Sequence, residues 1–166
     1  MDSTKNHNQN LKILQKPKNF SPSDFLEFAN TILNHILIYL PLTKNKKAYR
    51  ICEIEFYLFN NKTHKDNYVH CSLDQLKWQK FYFHQFKNGS YKSGTYKGMD
   101  MTFGVLEREI YFGVLIRSIM DMETGEFIEG PCRSVNKILE IYQSHDVKEF
   151  LGKFVSDFKG FFYNFG

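Results

Sequence analysis

Apolar side chains first recur at helical spacing after residue 21. Ser21 is followed by Pro22 and by Asp24, which together form the capping-box pattern that begins a helix. Beyond this cap, apolar residues repeat at steps of three and four positions: Phe25, Phe28, Ala29, Ile32, Leu33 and Ile36. We therefore predict one amphipathic helix, followed by a short strand over residues 37–40 that ends at Pro41.

A different period begins at residue 50. Residues 50–58 alternate with the period of two that is typical of a strand. One face carries Cys52, Ile54, Phe56 and Leu58, and the other carries Ile51, Glu53, Glu55 and Tyr57. The second face is unusual because strand geometry places its two carboxylates about 7 Å apart, with a phenol beside them. A solvent-facing strand with ordinary surface charges would show the same pattern.

Further strands are predicted at 81–86, 95–105 and 111–120, with Gly89, Gly94 and Gly98 marking turns or bulges between them. Residues 43–47 resemble a basic hairpin turn. Residues 133–142 predict a short helix, and the spacing of Phe150, Phe154 and Phe158 predicts another. The mixture of elements predicts an α+β fold. Residues 1–18 are polar and predict a flexible tail, which leaves 19–166 as a single domain.

Composition supports one compact intracellular domain. The 166 residues are 42% hydrophobic and 17% aromatic, which is enough to form a core. Three cysteines without a CxxC spacing favour a reducing compartment. The N-terminus lacks the apolar segment of a signal peptide, and the longest apolar stretch, 32–40, is too short to cross a membrane. We expect no membrane association and no secretion.

Positive charge is concentrated in one part of the chain. The net charge is +4, and residues 75–99 contain no acidic side chain. This stretch carries five candidate phosphate contacts: Lys77, Lys80, Lys87, Lys92 and Lys97. A solvated lysine-rich loop is the alternative interpretation. Since His64, His70 and Cys71 have no fourth ligand at a recognisable spacing, no metal site is expected, and no motif indicates a cofactor.

Arg117 lies in the middle of an apolar strand, between Val114, Leu115, Ile116 and Ile119. A guanidinium there requires a carboxylate or another anion, because leaving it unpaired is costly. A purely structural ion pair with a glutamate satisfies the same requirement.

Several segments in order resemble the methylpurine-DNA glycosylase (alkyladenine glycosylase) family. Residues 50–58, R-I-C-E-I-E-F-Y-L, resemble the family strand R-I-V-E-T-E-A-Y-L, and residues 66–70 supply its D-x-x-x-H. Gly98 and Met99 match part of a Y-G-M segment, 114–119 a V-L-L-R-A-L strand, and Gly130 and Pro131 a G-P-x-x-L helix. Residues 29–38 are similar to the helix and first strand of the family. The resemblance covers most of 20–142.

The resemblance implies a curved antiparallel sheet with flanking helices that encloses one pocket for a base. It makes Glu55 the group that activates water, with His70 and Arg117 assisting. Tyr57 becomes the ring that stacks on an extruded base, although a core or rim aromatic would fit the sequence equally well. We expect these four side chains to converge on one cavity, with Glu53 outside the position of the water.

Two positions depart from the family pattern. Lys97 stands where the family has a tyrosine that wedges into the duplex, which makes Tyr96, Tyr91 or Tyr82 the candidate replacement. Gly104 stands near the asparagine that helps the family to reject undamaged guanine. We therefore count Tyr96, Lys97 and Gly104 as substrate-binding candidates with altered selectivity.

The resemblance implies a hydrolase for base excision repair, which flips a damaged or modified purine, such as an alkylated one, out of DNA. It would act as a monomer without a cofactor. Two alternatives stay open: a module that binds a modified base without cutting, and a hydrolase of a small N-glycoside. The basic segment favours the two nucleic-acid readings.

Overall fold

The computed structural model describes residues 20–40, 47–154 and 162–164. The helices are α1 (Pro22–His35), α2 (Pro131–Ile141) and α3 (Val147–Phe154). The strands are β1 (Ile36–Leu40), β2 (Lys47–Asn60), β3 (His64–Lys65), β4 (Trp78–Phe83), β5 (Met99–Phe103), β6 (Tyr111–Asp121), β7 (Phe127–Glu129) and β8 (Phe162–Asn164). Within the described residues, 3-10 turns such as Leu73–Leu76 join these elements.

All strand pairs are antiparallel, in the order β4-β5-β6-β2-β1-β8, with β3 paired to β2 and β7 paired to β6. The sheet is curled, and together with the three helices it forms a single α+β domain. The prediction of a single α+β domain with a curved antiparallel sheet is confirmed. Within the described residues, no helix has the length and apolar character needed to span a bilayer.

The predicted helix cap is present at the start of α1. The Ser21 hydroxyl accepts from the Asp24 backbone N–H, and the Ser21 backbone N–H donates to Asp24 Oδ2 at 2.6 Å. The apolar face of α1 then packs onto the sheet, where Phe28 meets Phe103 edge to face at 5.2 Å between ring centroids. The short strand after the helix is β1, as predicted.

Two irregularities interrupt the pairing of β2 with β6. Ile51 lies opposite Ile119 but Glu53 lies opposite Ser118, so Cys52 is an extra residue in β2. Ile54 then lies opposite Ile116, which makes Arg117 an extra residue in β6. Such bulges reverse the face on which the following side chains lie.

The prediction of unbroken alternation along 50–58 is therefore wrong. Ile51 is fully buried in the core, and after the bulge Ile54, Phe56 and Leu58 also pack against the core. Ile51 consequently does not share the face of Glu55 and Tyr57. A bulge cannot be read from a period of two, because one inserted residue leaves the sequence pattern on either side unchanged.

The observed bounds of other elements differ from the predicted ones by a few residues. Strand β4 begins and ends three residues before the predicted 81–86, and β5 occupies only the centre of 95–105. Strand β6 and helix α2 agree closely with prediction, and α3 contains Phe150. The predicted tail at 1–18, most of the turn at 43–47, and Phe158 lie outside the described residues.

Candidate functional site

Glu55, Arg117 and Tyr57 meet on one face of the sheet. Arg117 donates from a terminal guanidinium nitrogen to Glu55 Oε1 at 2.6 Å, and the Tyr57 hydroxyl donates to Glu55 Oε2 at 2.7 Å. The side chains of Arg117 and Glu55 are 38% and 39% exposed. Because each carboxylate oxygen has two lone pairs, both oxygens retain the capacity to accept from a water or a ligand. The carboxylate is thus held in one orientation while open to solvent.

The irregular strand pairing explains how these groups meet. Glu55 lies opposite Leu115 and Tyr57 lies opposite Gly113, so Arg117 approaches Glu55 diagonally across the two strands. The Arg117 carbonyl accepts from the Gly130 N–H at 2.8 Å, which ties the irregular point of β6 to the residue before α2. The sequence prediction that Arg117 has a carboxylate partner is confirmed, and that partner is Glu55.

The Tyr57 hydroxyl remains a donor over the whole neutral range. Burial raises the pKa of Tyr57 to about 12, with further contributions from its hydrogen bond to Glu55 and from the charges of Glu55 and Asp100. Arg117 acts in the opposite direction. Tyr57 therefore orients Glu55 without competing with it for a proton.

A small pocket of about 220 Å³ adjoins this triad. Its walls are Tyr57, Tyr68, His70, Gln75, His84, Lys92 and Asp100. The volume corresponds to about seven waters, which suits one flat heterocycle rather than a large ligand. Tyr57 is the shared residue, because its hydroxyl contacts Glu55 while the side chain also lines the pocket.

His70 lines the same pocket as Tyr57. Its Nδ1 is 3.1 Å from the Tyr82 hydroxyl, and its Nε2 is 3.2 Å from Lys92 Nζ. Since an ammonium can only donate, Nε2 accepts and Nδ1 carries the proton. In the described part of the chain, no hydrogen bond joins His70 to Glu55 or Arg117. His70 thus shares the pocket with Tyr57 but does not contact the carboxylate.

We expect His70 to stay neutral well below the usual histidine range. Burial and the neighbouring His84 and Lys92 lower the pKa of His70, against a smaller opposing effect of Asp100. Protonation of His70 therefore opposes folding. The stability of the folded protein is unaffected by this group above about pH 6.5, the pKa of an unfolded histidine, and it decreases as the pH falls below that value. NMR titration should give a His70 midpoint below about 6.5 that Lys92→Met raises. A midpoint at or above that value in the wild type contradicts this arrangement.

The floor of the pocket is a buried polar cluster that sequence reasoning missed. Asp100 is 1% exposed, and its two oxygens accept from His84 Nε2 at 2.7 Å and from Gln75 Nε2 at 3.3 Å. A Cβ at Gly113 would lie 2.4 Å from Asp100 Oδ2, so only glycine leaves room for this carboxylate. The available signal was an aspartate inside the otherwise apolar segment M-D-M-T-F of β5.

The remaining substrate-binding candidates lie elsewhere. Tyr96 is 72% exposed in the turn Gly94–Tyr96, and Lys97 Nζ donates to the Gly94 carbonyl at 2.8 Å. Gly104 lines a separate hollow of about 450 Å³, together with Lys77 and Lys80. None of these residues lines the pocket that contains Tyr57 and His70.

The close packing around Gly104 predicts that a larger residue at this position destabilises the fold. A Cβ there would lie 1.9 Å from the Gln75 carbonyl oxygen and 2.7 Å from that of Ile110, both of them backbone atoms. Gly104→Ala should therefore destabilise the fold by about 1–3 kcal/mol or more, measured by thermal or urea unfolding. Gly152→Ala is the matched control, because nothing lies within 4 Å of the added carbon on α3 and alanine favours a helix. Equal midpoints for the two variants contradict the prediction.

The five candidate lysines do not form one cluster. Lys77 is paired with Asp74 at 2.5 Å and, with Lys80, borders the hollow at Gly104. Lys87 is exposed before Asn88. Lys92 and Lys97 line a groove of about 620 Å³ that is formed by residues 88–94, 97 and 145–148. Lys148 is a third lysine in the same groove. Because Lys92 also lines the base-sized pocket, groove and pocket are adjacent.

Among the described residues, no cluster of three or more histidine, cysteine or acidic side chains is arranged to bind a metal. No protein-family model and no solved structure matches this chain. An uncharacterized protein of Acanthamoeba polyphaga mimivirus is 47% identical over 139 residues, covering 77% of this chain and 62% of the relative. The chain thus spans less than two thirds of the length of that relative.

Proposed function

We propose that this chain hydrolyses the N-glycosidic bond of a modified purine that is flipped out of DNA, with a methylpurine-DNA glycosylase-like fold. One observation carries the proposal: Glu55, oriented by Arg117 and Tyr57, stands beside a base-sized pocket that Tyr57 also lines. The order of motifs along the sequence supports the same assignment.

The chemistry requires a carboxylate that takes a proton from water. As the bond between C1′ and the base nitrogen breaks, positive charge develops on the sugar, and the anionic Glu55 stabilises it. Water adds its oxygen to C1′, gives one proton to Glu55, and the base leaves with the bonding electrons. Arg117 and Tyr57 hold the carboxylate in position, so little reorganisation is needed at the moment of reaction.

The nucleic-acid strand has a path beside the pocket. The groove that contains Lys92, Lys97 and Lys148 carries three ammonium groups against the single carboxylate of Asp146. A phosphodiester on either side of a base held in the pocket would lie near these ammonium groups, since groove and pocket share Lys92. The groove therefore supports a polynucleotide rather than a free nucleoside as substrate.

We expect nucleic-acid affinity to fall with salt. Replacing both Lys92 and Lys97 with glutamine should reduce the slope of log affinity against log salt by roughly 0.7–0.9 for each lost phosphate contact. Lys77→Gln is the control, because its ammonium is already paired with Asp74. Fluorescence anisotropy with a short oligonucleotide measures the slopes. The absence of binding at low salt favours the small N-glycoside reading.

The test of the proposed function is base release. Oligonucleotides that carry alkylated, deaminated and normal purines are incubated with the protein and then treated with alkali, which cleaves at abasic sites. We expect strand cleavage at a subset of the modified purines and none at normal ones. Intact strands across the panel, with binding retained, contradict the proposal.

A module that binds a base without cutting it is the second candidate. Both oxygens of Glu55 are already engaged by protein donors, which is what a structural ion pair requires. Lys97 also replaces the wedge tyrosine that the resemblance implies. This module would use the same pocket, so that only base release separates the two functions.

A further inference from the structure

We propose that Asp100, with His84 and Gln75, is the floor that selects the base, and that it takes a purine whose buried edge carries an amino group. This inference rests on the proposed function in one respect, namely that the pocket receives a base. It concerns which edge of that base the pocket recognises, which neither the cluster of Glu55, Arg117 and Tyr57 nor the resemblance assigns.

Burial of Asp100 is the first observation. Asp100 is 1% exposed on β5, which is paired on both edges, and among the described residues no lysine or arginine forms an ion pair with it. A carboxylate in such a place costs free energy that an apolar residue would not, unless its acceptors are used. Its hydrogen-bond partners, His84 and Gln75, occupy one lone pair on each oxygen.

The orientation of Gln75 and His84 leaves only hydrogen-bond acceptors free on Asp100. Gln75 uses its Oε1 to accept from the Ser72 N–H at 3.2 Å, which fixes its amide nitrogen toward Asp100. His84 must carry its proton on Nε2 to contact the carboxylate, and its Nδ1 lies against Gly98, where a Cβ would be 2.6 Å away. The remaining capacity of Asp100 is one lone pair per oxygen, and both can only accept.

The position of Asp100 relative to Tyr57 is the second observation. Strand pairing places Gly113 between Thr102 on β5 and Tyr57 on β2, and the Asp100 carboxylate occupies the space over Gly113. Asp100 also contributes to the raised pKa of Tyr57, as a nearby charge does. A ring stacked on Tyr57 would therefore direct one edge toward the Asp100 carboxylate.

These observations define the ligand chemistry. An edge with amino or ring N–H donors satisfies the free acceptors of Asp100, and the charged hydrogen bond gains strength because Asp100 is buried. An edge without an amino group leaves one acceptor of Asp100 unpaired, which lowers the affinity for that base by roughly 10- to 100-fold. The pocket should therefore prefer the amino-bearing member of otherwise matched purines.

The test uses two nucleoside pairs that differ by one amino group: guanosine against inosine, and adenosine against purine riboside. NMR titration of the full chain gives the dissociation constants. In at least one pair we expect the amino-bearing member to bind roughly 10- to 100-fold tighter. Equal affinities in both pairs, or no binding of any of the four, overturn the proposal, whatever happens to the variants.

Two variants separate base selection from a structural role. Asp100→Asn keeps the shape but turns one acceptor into a donor, so the amino preference should fall by roughly 10-fold or more. Ile32→Val removes one methylene from the hydrophobic core at a residue that does not line the pocket, and it should keep the preference even if the melting temperature falls. A preference lost equally in both variants indicates a general loss of stability and overturns the proposal. Nucleoside binding needs no catalysis, so an amino preference without base release would refute the proposed function alone.

Discussion

Glu55→Gln should lower the rate of base release by at least about two to four orders of magnitude, the usual loss when a general base is removed. Glutamine keeps the shape of the side chain and its acceptor oxygen. It removes the negative charge that takes the proton and stabilises the sugar. Binding of the flipped base should persist, because Glu55 does not line the pocket.

Single-turnover assays with protein in excess measure this loss without interference from product release. Glu53→Gln is the matched control, since Glu53 lies two positions earlier on β2 and is exposed. Among the described residues, its carboxylate accepts a hydrogen bond only from the Ser118 hydroxyl, at 3.4 Å. Its rate should stay within a few-fold of wild type. Similar losses in the two variants, or an unchanged rate in Glu55→Gln, would remove Glu55 from the mechanism.

Tyr57→Ala should weaken capture of the modified base by about 1–3 kcal/mol, the range measured for loss of one stacked base. It also removes the hydroxyl that donates to Glu55 at 2.7 Å. Tyr57→Phe separates these roles, because it keeps the ring and loses only the hydroxyl. We expect near-normal affinity for Tyr57→Phe, with a reduced single-turnover rate.

Equilibrium binding to oligonucleotides with and without the modified base supplies the affinity readout, because stacking on Tyr57 requires the extruded base. The difference between the two oligonucleotides should shrink in Tyr57→Ala and survive in Tyr57→Phe. If both variants discriminate as the wild type does, the Tyr57 ring does not contact the base.

Features set by neighbours in sequence were predictable. The Ser21 cap, the helical spacing after it and the apolar run around Arg117 each depend on residues a few positions apart. The pairing of Arg117 with a carboxylate also followed, because a guanidinium in an apolar strand is stable only with an acceptor. These parts of the fold and site needed no knowledge of the sheet order.

Features that depend on strand register were not predictable. Because of the bulges at Cys52 and Arg117, Ile51 lies in the core and not on the face of Glu55. A single sequence contains no signal for this shift in strand register. The pocket floor joins Gln75, His84 and Asp100 from three segments, and Gly113 matters only because β6 runs beside β5. The role of His84 could not be assigned from the sequence, because its hydrogen-bond partner Asp100 lies on a different strand, β5.

The most direct test of hydrolysis at Glu55 is a reaction in water enriched with heavy oxygen, analysed by mass spectrometry. The wild type should release a free, unlabelled modified base and leave an abasic sugar that carries one heavy oxygen, in excess of the exchange shown by a preformed abasic strand in the same water, because water attacks C1′ and the base nitrogen leaves. Bound oligonucleotides recovered with every base intact and no label in the sugar would contradict the account and leave the binding module as the function.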